Sequence, residues 1–131
     1  MNRHASDNVT SPFKSRSGLR RIIAAGGYSM KGLRATWQHE AAFRQEVWLG
    51  VALLPLAIWV SHNKWELLLL IGSILFVWIV ELVNSAIEAL ADSVSLEHQT
   101  LLGRAKDIGS AAVLLSLITA AIIWLCVLWP A

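Results

Sequence analysis

The chain has 131 residues, 56% of them hydrophobic and seven of them tryptophan, with a mean hydropathy of +0.55. A soluble domain of this size has too little interior to hide that much apolar surface, so the composition indicates an integral membrane protein and is too short for two domains. The net charge is only +2, and the one cysteine, Cys126, excludes an intramolecular disulfide and any multi-cysteine metal site.

Residues 1–18 are rich in Ser, Asn and Arg and show no apolar period. They are predicted to be a disordered leader without assigned function, and with a start this polar no cleavable signal peptide is expected. Residues 19–131 are expected to form a single integral-membrane domain. At its start Leu19, Ile22, Ile23, Gly26, Met30, Leu33 and Trp37 share one helical face, opposite Arg20, Arg21, Tyr28, Lys31 and Arg34. This predicts a basic, amphipathic surface helix over 19–36, with Gly26-Gly27 expected to break it in two. The glycines from Gly27 to Gly32 have phosphate-loop spacing, but Leu33-Arg34 stands where Lys-Ser/Thr is required and no strand precedes it, so a Walker motif is rejected.

A dense polar patch, Gln38 to Glu46, runs into the uncharged stretch Val47 to Val60, which contains Pro55. Those residues alone are too few to cross a bilayer, so Ala41-Ala42-Phe43 and a snorkelling Arg44 are expected to complete a first span over 41–61. Ser61 to Lys64 reads as a turn, and Trp65 opens a second span over 65–92. Leu96 to Asp107 reads as a polar connection. The third span, 107–129, contains 22 residues without a charge from Ile108 to Trp129. Eight of the eleven Lys and Arg precede Val47, two lie in the second connection and one in the short turn. The positive-inside rule then predicts a cytoplasmic N-terminus and a periplasmic C-terminus, with Trp59, Trp65, Trp124 and Trp129 gathered as an outer aromatic belt.

The second span ends in Glu81-Leu-Val-Asn84-Ser85-Ala-Ile-Glu88-Ala-Leu-Ala-Asp92, whose polar residues fall on one helical stripe. An ionisable group directly after an apolar span is a functional-site hypothesis, weighed here against a polar seam that only joins helices. A rise of about 1.5 Å per residue puts Glu46 and Glu81 at similar depth, with Glu40 and Glu88 about 10 Å nearer the cytoplasm. The four carboxylates are expected to stack as two pairs. The aqueous pair, Glu40 and Glu88, suits Mg²⁺, which binds one or two carboxylates together with phosphate oxygens and water. In the deeper pair Glu81 is the candidate general base, supported by Glu46, with Asn84 and Asp92 beside it. Arg21, Arg34, Arg104 and Lys106 are candidate partners for phosphate oxygens in phosphoryl transfer. A proton conduit is a competing reading, but it requires polar groups through the whole bilayer, whereas charge here stops at the inner edge. A non-catalytic assembly protein is the other.

Four motifs carry a family resemblance: Arg21-Ile-Ile with Gly27-Tyr-Ser-Met-Lys-Gly-Leu-Arg34, Glu40-Ala-Ala-Phe-Arg-Gln-Glu46, Glu81-Leu-Val-Asn-Ser-Ala-Ile-Glu88, and Gly103-Arg-Ala-Lys-Asp-Ile-Gly-Ser-Ala-Ala-Val113. In this order they resemble the bacterial membrane-integral diacylglycerol kinases, over nearly everything after Gly18. The resemblance implies an all-α protein with three transmembrane helices and a surface helix per chain. It further implies a homotrimer in the bacterial inner membrane with active sites shared between subunits. Its implied reaction is Mg²⁺-dependent transfer of the γ-phosphoryl of ATP to diacylglycerol, giving phosphatidic acid in phospholipid metabolism. A related branch phosphorylates undecaprenol, and the motif wording leaves that acceptor open. No nucleic-acid partner is expected.

By the same resemblance Glu81 is the base and Glu40 and Glu88 hold the metal. Nucleotide-contacting positions correspond to Arg21, Tyr28, Glu40, Glu88, Glu97, His98, Gln99, Lys106 and Asp107. Lipid-contacting positions correspond to Arg21, Ala25, Gly26, Gly27, Tyr28, Ser29 and Met30, to Arg34, Ala35, Thr36 and Trp37, and to Ala42, Phe43, Arg44, Gln45 and Glu46. Trp59, Leu67, Glu81, Ser110 and Trp124 complete that set. Ala24, Met30 and Gln99 depart from the residues common at those positions in the family.

Overall fold

The computed structural model describes residues 18–94 and 100–129. In chain order these form α1 (Gly18–His39), α2 (Ala41–Val60), α3 (Lys64–Val94) and α4 (Thr100–Leu128), and no strand occurs among the described residues. The leader to residue 17, and Glu97, His98 and Gln99, lie outside them. Two compact units are distinguished, Met1–Arg34 and Ala35–Ala131.

Within the first unit α1 is continuous through Gly26 and Gly27, so the expected break does not occur. Each glycine costs a helix only about 1 kcal/mol, which flanking residues of good helical propensity outweigh. The Ser29 hydroxyl also donates to the Ala25 carbonyl at 3.0 Å, bridging the glycine pair. No residue of α1 is buried within the chain, as an amphipathic surface helix requires.

The second unit is organised on α3, with α4 and α2 each packed against it. Three helices, α2, α3 and α4, are long and apolar enough to cross a membrane. The α2–α3 turn is fixed by its own side chains. Asn63 Oδ1 accepts from the backbone N–H of Trp65 at 2.9 Å and Glu66 at 3.1 Å, while the Glu66 carboxylate accepts from the His62 N–H at 2.7 Å. This reciprocal arrangement satisfies the orphan donors that start α3. Near that turn Ala57, Leu70 and Val127, one from each helix, form the apolar core.

The buried positions of α3 are Leu70, Ser73, Ile74, Val77, Glu81, Asn84, Ser85 and Ala91. Their three- and four-residue spacing traces one seam along the helix. Up to Val77 the seam is apolar apart from Ser73, and from Glu81 to Ser85 it is polar, so the site continues the core without changing face. On α2, Phe43, Gly50 and Ala57 are buried at seven-residue intervals. A Cβ at Gly50 would lie 2.6 Å from Trp78 Cζ2 and 2.7 Å from Ile74 Cγ2, so this glycine permits the close approach of α2 and α3. Through it the Trp78 indole N–H reaches the Glu46 carbonyl at 3.1 Å.

Two further expectations need correction. Residues 100–107, expected in the polar connection, are the first two turns of α4. This stretch has no helix-breaking proline, and it gains a contact with α3 through Lys106 and Asp92 at 3.0 Å. Trp124, expected in the outer belt, is half-buried and donates its indole N–H to Ser73 Oγ at 3.2 Å. A buried hydroxyl beside it offers the partner that the apolar interior otherwise withholds, whereas Trp59 and Trp129 remain more than four-fifths exposed.

Candidate functional site at the acidic end of the bundle

Glu40 is the corner between α1 and α2. Its extended backbone (φ −110°, ψ 106°) ends one helix before the next begins, and its carboxylate makes no capping bond. Arg44 holds the corner: its guanidinium donates to the carbonyls of Trp37 at 2.7 Å and Gln38 at 3.3 Å. A cation on the last carbonyls of a helix is favourable by both hydrogen bonding and dipole. Arg44, expected to snorkel, is thus engaged with the backbone. Trp37 and Trp48 stack edge to face across the same corner, 6.1 Å between centroids.

Glu81 is 4% exposed. Its neighbours in electrostatic range are Glu88 and Glu40, and Glu46 lies within range of Glu81 in turn. Each of the other three carboxylates is thus coupled electrostatically to Glu81. A ledger of buried polar atoms points to the same place: the described side-chain atoms that are buried without a hydrogen-bond partner are Glu46 Oε2, Asn84 Oδ1 and Ser85 Oγ. Buried polar groups are ordinarily satisfied, so a cluster of orphans around one acid calls for a ligand or ordered water.

Asn84 donates its amide N–H to Glu88 Oε1 at 3.1 Å. Farther along, Lys106 of α4 bonds Asp92 of α3 and lies within electrostatic range of Glu88 and Glu40. Lys106 thus borders the carboxylate group and is tethered to one of its flanking acids. Among the described residues no three His, Cys, Asp or Glu side chains converge as a metal cage. Two carboxylates, Glu40 and Glu88, are a donor set that suits a hard, strongly hydrated cation which also binds phosphate oxygens.

A groove of about 380 Å³ runs along the second unit, lined by side chains of α2, α3 and α4. Leu53, Val77, Leu117 and Trp124 line its walls, and Glu46 is the one acid on it. It joins the acidic end to the apolar middle of the bundle. Phe43 is buried, Leu67 half-buried, and Ala42, Gln45, Trp59, Asp107 and Ser110 are exposed. In the first unit Arg21, Ala25, Gly26, Gly27, Ser29, Met30 and Arg34 are exposed, and Lys31 Nζ sits 5.7 Å from the centre of the Tyr28 ring. Of the remaining expected lipid contacts, Ala35 is exposed and Thr36 half-buried.

Sequence reasoning missed Gly50 and Trp78 as parts of the site's frame. The seven-residue recurrence Phe43-Gly50-Ala57 was the available signal for the first. Nothing local in the sequence indicates that the Trp78 indole bonds the Glu46 carbonyl.

Three helices long and apolar enough to cross a membrane, one of which carries the buried acid Glu81, define a multi-pass α-helical membrane protein. Residues 27–128 match the family described as prokaryotic diacylglycerol kinase. A diacylglycerol kinase of Escherichia coli (strain K12) is 53% identical over 116 residues, spanning 86% of this chain and 93% of that one. Its counterpart in Pseudomonas aeruginosa is 48% identical over 118 residues (90% and 96%), and that of Haemophilus influenzae 41% over 108 residues (82% and 92%). The chain belongs to the prokaryotic diacylglycerol kinase family.

Proposed function

We propose that this lipid kinase transfers the γ-phosphoryl of ATP to the hydroxyl of diacylglycerol, giving phosphatidic acid, with Glu81 as general base. The observation that carries the assignment of Glu81 is its burial at 4% exposure among Glu40, Glu46 and Glu88. A carboxylate held in an acidic, low-dielectric setting is suited to accept a proton. It takes the proton of the acceptor hydroxyl as the new oxygen–phosphorus bond forms and the bond to the β-phosphate oxygen breaks. Glu40 and Glu88 would hold Mg²⁺, which when bound neutralises charge on the phosphate oxygens.

Lys106 borders the same carboxylates and supplies a cation for phosphate oxygens, at the cost of its tether to Asp92. Arg21, Tyr28, Glu97, His98, Gln99 and Asp107 complete the nucleotide contacts in this reading. The groove ending at Glu46 offers an alkyl-lined approach for the acceptor lipid. The remaining lipid contacts are those at Arg21, Ala25 to Met30, Arg34 to Trp37, Ala42 to Gln45, Trp59, Leu67, Ser110 and Trp124.

The protein resides in the bacterial inner membrane with its N-terminus cytoplasmic, an orientation supported by the eight Lys and Arg that precede Val47. Residues 19–131 act as one kinase domain behind a leader. The working unit is a homotrimer with shared sites. Its support is the apolar surface of α4, of whose most apolar window only 6% is buried within the chain. The test is phosphatidic acid formation in mixed micelles with ATP, Mg²⁺ and dioleoylglycerol. Glu81→Gln is expected to lower turnover by about 10²- to 10⁴-fold with the helical content unchanged. Turnover unaffected by the change would remove Glu81 as base.

A further inference from the structure

Gly109 on α4 faces the polar part of the α3 seam. It is buried, and a Cβ built on it would overlap Asn84 Oδ1 and lie 3.3 Å from Asn84 Cγ. Asn84 is 8% exposed, its amide N–H donates to Glu88 Oε1 at 3.1 Å, and its Oδ1 is buried without a hydrogen-bond partner. Which way that amide points is dictated by chemistry. A carboxylate oxygen accepts from the NH₂ end, which sits on Glu88 Oε1, and the amide oxygen therefore faces Gly109 on α4. The oxygen therefore occupies the space that any larger residue at 109 would fill.

We infer that Gly109 is a positioning residue for the metal carboxylate: its missing side chain admits the Asn84 oxygen and thereby holds the Asn84 N–H on Glu88. The inference rests on the reading of Glu88 as a metal ligand. The amide is a rigid plane, so moving the oxygen away from a Cβ carries the nitrogen with it. Turning the plane by half a revolution puts the NH₂ group into the same collision and its oxygen against the Glu88 carboxylate. The remaining escape is a change of χ1, which a helix restricts to few rotamers. Each route ends the Asn84–Glu88 bond. The packing of α4 along α3 limits how far the two helices can separate to relieve the collision.

The experiment is a double-mutant cycle on the full chain in detergent micelles, with Gly109→Ala, Asn84→Ala and the pair. It is read by Mn²⁺ binding followed by electron paramagnetic resonance, by the Mg²⁺ concentration for half-maximal turnover, and by unfolding temperature. Gly109→Ala is expected to weaken Mn²⁺ binding by about 10- to 100-fold, the loss usual when a metal ligand's outer partner is displaced. The double variant is expected to bind no worse than Asn84→Ala alone, because the group that the added methyl would strike is gone. If Gly109→Ala alone does not fold, the double variant is expected to fold; its failure to do so overturns the inference. Multiplying losses in the pair, or wild-type Mn²⁺ binding in Gly109→Ala, also overturn it. Glu88→Gln separates the two levels. If it abolishes Mn²⁺ binding while Gly109→Ala leaves binding intact, only the role of Gly109 is lost; if it leaves Mn²⁺ binding intact, the metal assignment of Glu88 falls and this inference with it.

Discussion

A carboxylate that is 4% exposed, as Glu81 is, carries its cost of burial into every state of the protein. Here that cost is concentrated rather than relieved: Glu40, Glu46 and Glu88 are all within electrostatic reach of the group, and the partnerless buried atoms lie on Glu46, Asn84 and Ser85. A bound cation would neutralise charge and engage acceptor oxygens, and a phosphate group could accept from the Ser85 hydroxyl. Under the proposed assignment, Glu40→Gln and Glu88→Gln are each expected to raise the Mg²⁺ concentration for half-maximal turnover by about tenfold or more, with a smaller change for dioleoylglycerol. Titration of each substrate against each variant checks this; loss of lipid affinity with a normal Mg²⁺ titration would reverse the assignment. These acids were legible in the sequence because each interrupts or borders an apolar run, and because helical rise alone set their depths. The partnership of Asn84 with Gly109 was not, since it joins residues 25 positions apart on different helices.

At the level of elements, α3 is the piece on which the others are registered. At about 1.5 Å per residue its 31 residues extend to roughly 46 Å, well beyond a hydrocarbon core of about 30 Å. The excess is the acidic end, where α4 is likewise helical from Thr100. Register against α2 depends on Gly50, which lets Trp78 reach the Glu46 carbonyl. Gly50→Val is expected to destabilise the protein by about 1–3 kcal/mol through overpacking, measured as a lower unfolding temperature in detergent. Gly72→Ala is the matched control: a Cβ there meets nothing within 4 Å, so that change is expected to be neutral or slightly stabilising. The apolar periods located all four helices. Glycine, however, is ambiguous in a sequence: Gly26-Gly27 suggested a break where the helix is continuous, and Gly50 gave no hint that it was a point of helix contact.

For the whole molecule, three apolar helices in a single chain leave much of their surface uncovered, and α4 most of all. Lipid can cover such surface, and so can further copies of the chain. The proposed trimer with shared sites makes a specific demand on mixtures. Arg21→Ala and Glu81→Gln chains, each inactive alone, are expected to recover turnover when co-assembled, because some sites then receive an intact residue from each; no recovery at any ratio would confine each site to one chain. Composition and hydropathy by themselves determined that this is a three-span α-helical membrane protein with a group of acids at the end opposite the short turn, because the bilayer admits few ways to satisfy a backbone and tolerates charge only at its edges. The motif order by itself indicated the family. Only the tertiary structure decided which of those acids share a neighbourhood, that Trp124 turns inward to Ser73, that Arg44 closes the α1–α2 corner, and that Gly109 faces Asn84. Those outcomes depend on how helices approach one another, and helix approach is set by contacts between distant residues that no local period encodes.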